Sequence, residues 1–159
     1  MGFHTVKIKK YSDVIEEFVA NATLYPGMLI ELISTGKVQK HASEDGNVFP
    51  MFALEDEMQG KGIVDAYAAA DVVQCWIPYR GDIVYGLLED GQSVLIGDEL
   101  TSAGNGYLKK YVPTDDSTFV QHPLQIVGWA AETLDLTGSS GEESGPQVDF
   151  NRFFKVRIA

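Results

Sequence analysis

Three histidines, one cysteine, two acidic clusters and two glycine-rich segments are the parts of this chain whose residue types suit chemistry. Their spacing decides what each can do. A zinc site is built from histidines and cysteines in close pairs, separated by a few residues or by one helical turn. His4, His41 and His122 are far apart and none adjoins Cys75, so no metal-ligand spacing is present. A calcium loop needs oxygen ligands at alternating positions, an internal glycine and a closing glutamate. Neither Glu55-Asp56-Glu57 nor Asp115-Asp116 has that pattern, and both read as solvated acidic faces.

Nucleophilic and phosphate-binding motifs fail on similar grounds. Gly138-Ser139-Ser140-Gly141 departs from a G-x-S-x-G elbow because Glu142 stands where the second glycine belongs, and no strand precedes it. The stretch from Gly97 to Lys109 places glycines near lysine, yet it lacks G-x-x-x-x-G-K-[ST] and leads into no helix that would present amides to a phosphate. Cys75 sits among Val72, Val73, Trp76 and Ile77, as an inert thiol in a buried strand would. Arg80-Gly81-Asp82 fits a turn between two apolar runs better than an adhesion tripeptide. The expectation is a non-enzymatic chain with no cofactor and no metal.

Composition narrows the partners. The chain has 159 residues, enough for one domain with a core that needs no disulfide. Its formal net charge of −11 argues against direct nucleic-acid binding, which depends on clustered Lys and Arg that displace counterions. Lys7-Lys9-Lys10 is the main basic cluster and Lys109-Lys110 the second. No apolar run approaches the roughly 20 residues that span a bilayer, so no membrane association is expected. The start MGFHTVKIKKYSD lacks a secretory apolar region, and Val6 occupies the position where a myristoylation signal has Ser or Thr.

The elements that would position these residues are mostly strands. Residues 3–10 alternate Phe3, Val6 and Ile8 with His4, Lys7 and Lys9, as in an extended arm or edge strand that can be removed without loss of the fold. Asp13 with Glu16 three residues on, and the pairs Val14/Phe18 and Ile15/Val19, predict a short helix ending near Asn21. Tyr25-Pro26-Gly27 turns the chain into residues 28–33, apolar enough for a central strand buried on both faces. Strands follow over 37–40, 48–54 and 72–77, with a glycine-broken loop over 55–71. A polar turn at 113–117, a strand at 124–130, an exposed loop over 134–146 and a final strand over 148–158 complete the chain.

Between residues 78 and 111, Gly81-Asp82, Asp90-Gly91, Gly97-Asp98 and Gly104-Asn105-Gly106 recur at intervals of seven to nine residues. Each suits a tight turn, and the β-branched and aromatic runs between them suit short strands. The pattern predicts a mainly β fold: a compact β-barrel or β-tulip-like sandwich of short strands with one short N-terminal helix. Its parts are an N-terminal arm and helix over 1–25, a β-rich core over 26–132, a flexible Gly/Ser/Glu loop over 133–147, and a C-terminal strand over 148–159 that returns to the core.

The phrase from Gly81-Asp82 through Gly91-Gln92-Ser93-Val94 to Gly97-Asp98-Glu99-Leu100-Thr101-Ser102 and Gly104-Asn105-Gly106-Tyr107-Leu108 resembles the head decoration, or capsid cement, proteins of tailed bacteriophages. The resemblance extends upstream to Phe49-Pro50-Met51-Phe52-Ala53-Leu54-Glu55 and Gly62-Ile63-Val64-Asp65-Ala66-Tyr67, covering roughly residues 26 to 112. It implies a structural virion protein, made in the host cytoplasm, that clusters as homotrimers on the outer capsid surface. There it would bridge major capsid protein subunits and stabilise the expanded shell. On this reading Phe3, Val6, Ile8 and Lys9 contact the capsid, and Tyr107 and Tyr111 lie between protomers. The extra tract 113–159 and the long N-terminal lead depart from a minimal decoration protein.

A second resemblance, carried by Arg80-Gly81-Asp82-Ile83-Val84 and Ile96-Gly97-Asp98-Glu99-Leu100, is to β-barrel carrier or small-ligand-binding domains of the biotinyl/lipoyl type. Those domains present a lysine alone at a hairpin tip beside methionine. Here Lys109-Lys110 follows a Gly-Asn-Gly turn within a strand-like run.

Overall fold

Two of the turn signals share one device. In Tyr79-Arg80-Gly81-Asp82 and Leu95-Ile96-Gly97-Asp98 the glycine takes φ of 91° and 94°, a region that side chains with a Cβ rarely enter. The aspartate then closes each turn by accepting the N–H of the residue three before it, Tyr79 at 2.6 Å and Leu95 at 2.9 Å. A local rule thus reverses the chain twice and leaves a strand after each reversal.

The computed structural model describes residues 3–10, 13–113, 124–138 and 152–159. Among them the strands are β1 (Lys7–Lys9), β2 (Ile15–Ala20), β3 (Ile30–Leu32), β4 (Lys37–Lys40), β5 (Phe52–Ala53), β6 (Val72–Trp76) and β7 (Ile83–Leu87). They continue with β8 (Ser93–Val94), β9 (Glu99–Ser102), β10 (Leu108–Lys110), β11 (Gly128–Ala130), β12 (Leu134–Asp135) and β13 (Phe153–Ile158). A six-stranded sheet runs in the order β1-β7-β13-β11-β9-β10, a five-stranded sheet in the order β3-β4-β2-β6-β5, and β12 pairs with β8. Every ladder is antiparallel except β2 with β4.

The fold is mainly β, and among the described residues no sheet closes into a barrel. Leu29 bridges to Phe52, and backbone hydrogen bonds from Gly27 N to the Ala53 carbonyl, Ala53 N to the Met28 carbonyl and Ile30 N to the Met51 carbonyl link the two edges of the five-stranded sheet over this short stretch. Phe52, Val38, Val73 and Cys75 from that sheet and Val84, Leu100, Phe154 and Val156 from the six-stranded one are buried in one core.

The short N-terminal helix does not form. Residues 15–20 are strand β2, paired with β6 in the register Ile15–Trp76, Phe18–Val73 and Val19–Val72. β-branched and aromatic side chains gain more from those cross-strand neighbours than from one isolated helical turn, and Asp13 binds Lys10 at 2.6 Å instead of capping. The N-terminal arm, too, is built into the sheet. β1 pairs with β7, and Val6 is wholly buried.

Burial in residues 28–33 ends at Ile30, because β3 is an edge strand from there on and Leu32 faces outward. Only Phe52–Ala53 of residues 48–54 is in a ladder, and the 55–71 loop holds one 3-10 turn, Glu57–Gln59. The exposed loop expected from 134 is not found at its start, since Leu134–Asp135 is strand β12 and Leu136 is buried. Its remainder over 139–147, the turn residues 114–117, His122 and residues 148–151 lie outside the described residues.

Candidate interaction surfaces

Register places one row of side chains across the outside of the six-stranded sheet. Lys9 pairs with Ile83, Ile83 with Arg157, Arg157 with Trp129, and Trp129 with Glu99. Directly opposed residues share a face, and here the other face is the core, with Val84, Val156, Ile158 and Leu100 buried. Lys9 and Arg157 are exposed, while Ile83 and Trp129 are half-buried. Arg157 Nη1 donates to the Gly81 carbonyl at 3.2 Å, which brings the guanidinium to the turn that carries Arg80 and the exposed Tyr79.

A second row flanks the first. Tyr85 pairs with Lys155, Phe3 meets the Tyr85 ring edge-on at 5.6 Å, and the Lys155 ammonium stands 5.0 Å from the Phe3 ring. Lys155 also faces Glu132 at 3.8 Å. Burial, helped by the Glu132 charge, raises the Tyr85 hydroxyl above its ordinary pKa. The result is an aromatic sheet face on which Lys9, Lys155 and Arg157 outnumber Glu99 and Glu132, a locally positive patch on an acidic molecule. Aromatic bodies with a cation over or beside them bury apolar area while offering charge, the combination found at interface hot spots.

The residues singled out from the sequence are distributed as follows. Phe3 is 43% exposed and Lys9 lies in the first row, so both reach this face. Val6 is interior: its N–H donates to Glu55 Oε2 at 3.1 Å and its carbonyl accepts from Tyr85 N at 2.8 Å. Ile8 is half-buried. Tyr107 is half-buried with the Arg152 guanidinium 5.2 Å from its ring, and burial raises its hydroxyl pKa. Tyr111, past the other end of β10, is half-buried and its N–H donates to the Glu99 carbonyl at 2.8 Å. Sequence reasoning missed Trp129, Arg157 and Lys155. The alternation of Phe153, Lys155 and Arg157 with Phe154, Val156 and Ile158 was the signal for a strand with one outer face.

A hollow of about 330 Å³ lies elsewhere, beside the open edge of β2. Phe18, Leu32, Phe49, Met51 and Ile77 give it apolar walls, and Glu16 and Glu31 add carboxylates. β2 pairs with β6 over residues 15–19 but with β4 only at Val19 and Ala20. Among the described residues, 15–18 therefore have a strand neighbour on one side only.

At the back of the hollow, His41 Nδ1 is 2.7 Å from Ser102 Oγ and His41 Nε2 is 3.7 Å from Glu31 Oε2. This grouping has the members of a catalytic triad but not its access. Ser102 is wholly buried and its Oγ accepts from Gly104 N at 3.1 Å, so no acyl carbon can reach it. His41 Nε2 donates to the Asn47 carbonyl at 3.1 Å, which ties down the 41–47 loop.

Other reactive groups are similarly committed. Lys109 binds Asp45 at 2.8 Å and also Glu44. Burial alone would lower its pKa, but the two carboxylates outweigh that and raise it. Lys110 pairs with Asp98 at 2.8 Å, so neither lysine stands free at a hairpin tip. Burial pushes the Cys75 thiol up to about 12. No group of three or more His, Cys, Asp or Glu suited to a metal ion occurs among the described residues.

No protein-family profile matches the chain, and no curated protein matches it. Among solved structures, the chain superposes on the head fiber N base of bacteriophage phi29 with a TM-score of 0.54 and 16% identity. The superposition covers 93% of this chain and 95% of that chain. At this identity the likeness is one of fold, shared nearly from end to end.

Proposed function

We propose that this chain is a structural, non-enzymatic protein of a phage virion that binds the outer surface of an icosahedral head. The observation that carries the reading is the end-to-end fold likeness to a phage head fiber module, covering 93% of this chain. The turn pattern of residues 78–111 supports the same class independently, through its resemblance to capsid cement proteins.

In this reading the outer face of the six-stranded sheet meets the shell. Lys9, Arg157 and Lys155 supply charge for acidic capsid residues, and Phe3, Ile83 and Trp129 supply apolar area; Ile8 lies on the same strand as Lys9, and Val6 holds that strand from beneath. Tyr107 and Tyr111 lie at protomer contacts of a homotrimer. The partner is the major capsid protein, and one copy bridges adjacent subunits. A ligand that binds only the expanded lattice stabilises that state by its binding free energy, and repetition over the shell multiplies a modest contact.

The test is to sediment intact particles from the source lysate and quantify this chain against the major shell protein by mass spectrometry. Near-stoichiometric copies in the particle band, depleted by the Arg157→Glu/Trp129→Ala variant, are expected. Absence from particles while the chain is abundant in the soluble fraction would overturn the proposal.

A further inference from the structure

We infer that the hollow beside β2 receives an extended segment of a partner protein in which lysine or arginine alternates with apolar residues, and that this segment pairs with the open edge of β2. The inference does not rest on the virion reading; it follows from the edge, the walls and the charge of the hollow.

An edge strand left uncovered is a template for another strand, and proteins that leave edges exposed usually guard them with charged side chains, lysine above all, with proline or with a bulge. β1 is guarded in this way, with Lys7, Lys9 and a register shift between them. Residues 15–18 of β2 read Ile-Glu-Glu-Phe, with no proline and no register shift in the β6 ladder, so its only guards are the carboxylates of Glu16 and Glu17, which repel an acidic strand and not a basic one. Beside this edge, Phe49 is 68% exposed and Leu32 is 53% exposed, an unusual display for two large apolar side chains in one depression.

The occupant's chemistry follows from the walls. An added strand sends alternate side chains to opposite faces, so one set enters the hollow and the other faces solvent. A volume of about 330 Å³ accommodates one or two large side chains rather than a folded domain. Phe18, Met51 and Ile77 favour apolar groups, and Glu16 and Glu31 favour a cation at the mouth, with no lysine or arginine among the described lining residues to compete. Glu31 is held in place by Gln39 Nε2 at 2.8 Å. A second copy offering its own β2 would bring Glu16 and Glu17 against the same pair, so like charge disfavours self-pairing there.

The experiment uses the full chain and two fluorescein-labelled probes, acetyl-KVKVKVK-amide and acetyl-EVEVEVE-amide, followed by anisotropy and amide exchange. The basic probe is expected to bind, to protect the amides of residues 15–18, and to lose at least about tenfold in affinity in Glu16→Lys/Glu31→Lys. Phe49→Ser, an exposed substitution that leaves the fold alone, should weaken binding by a similar factor. A control of equal charge change outside the hollow, at the exposed residues Asp65→Lys/Asp135→Lys, should leave most of the affinity. Three results would each overturn the inference: no binding of the basic probe, equal binding of the acidic one, or a loss in this control as large as in the groove variants.

Discussion

Deleting residues 1–10 should strip the fold of a large part of its stability rather than release an armless core as stable as the parent. Val6 is wholly buried, and full burial of a valine side chain contributes about 1.5–3 kcal/mol. The deletion also strips two hydrogen bonds, Val6 N to Glu55 Oε2 and Tyr85 N to the Val6 carbonyl. Glu55 is only 5% exposed and its Oε1 already lacks a partner, so losing the remaining donor costs about 1–3 kcal/mol more. The total of about 2.5–6 kcal/mol is a large share of the roughly 5–15 kcal/mol by which a domain is stable. Val6→Ala should cost about 2 kcal/mol, from two methyl groups at about 0.8 kcal/mol each plus a small cavity. Lys9→Glu should stay within about 0.5 kcal/mol of the parent. Urea unfolding followed by Trp76 and Trp129 fluorescence measures all three. A truncated chain within about 1 kcal/mol of the parent would refute the reasoning and show that the first strand is an accessory arm.

Asp98 should make a small, pH-dependent contribution. The Leu95 N–H first, and then Lys110, hold its carboxyl below the ordinary value of 3.8, so its stabilisation is present above that value and is lost as pH falls through the folded pKa. Because solvent still reaches this half-buried carboxylate and the side chain of its partner Lys110 is 41% exposed, screening keeps the pair weak, and the parent should exceed Asp98→Asn by less than about 1 kcal/mol at neutral pH. The gap should close on acidification, and a gap independent of pH would sever the effect from ionisation. Cys75, buried with its thiol pushed up to about 12, should resist a thiol-exchange reagent in mildly alkaline buffer until urea unfolds the chain. Rapid labelling of the native protein would mean that β6 opens locally.

Turns were the most legible feature because their chemistry is local. Gly81-Asp82 and Gly97-Asp98 carry the left-handed glycine and the closing carboxylate within four residues, so no distant contact is needed to set them. The segment from Asp13 to Asn21 was misread because helix and strand signals coincide there. The i,i+4 pairs Val14/Phe18 and Ile15/Val19 are equally the two faces of a strand, and the ladder to β6 decides between them. Residues 28–33 have a uniform apolar composition but not uniform burial, since an edge position exposes Leu32 and sequence does not state which strand is the edge. The outer row was illegible for a related reason. Lys9, Ile83, Glu99, Trp129 and Arg157 are up to 148 residues apart, and only pairing through β7, β13 and β11 aligns them.

Charge separates the two surfaces. The chain as a whole is at −11, which repels an acidic partner at long range, yet Lys9, Lys155 and Arg157 concentrate positive charge on one sheet face. At physiological ionic strength the screening length is about 8 Å. Repulsion from carboxylates on the far side of the molecule is then largely screened, while the cations on the contacting face act over the few ångströms that matter. The same screening confines the attraction of Glu16 and Glu31 to whatever enters their hollow. One acidic chain can therefore present a cation-rich aromatic face to one partner and an anionic apolar groove to another, because each is read at a range shorter than the distance over which its net charge is felt.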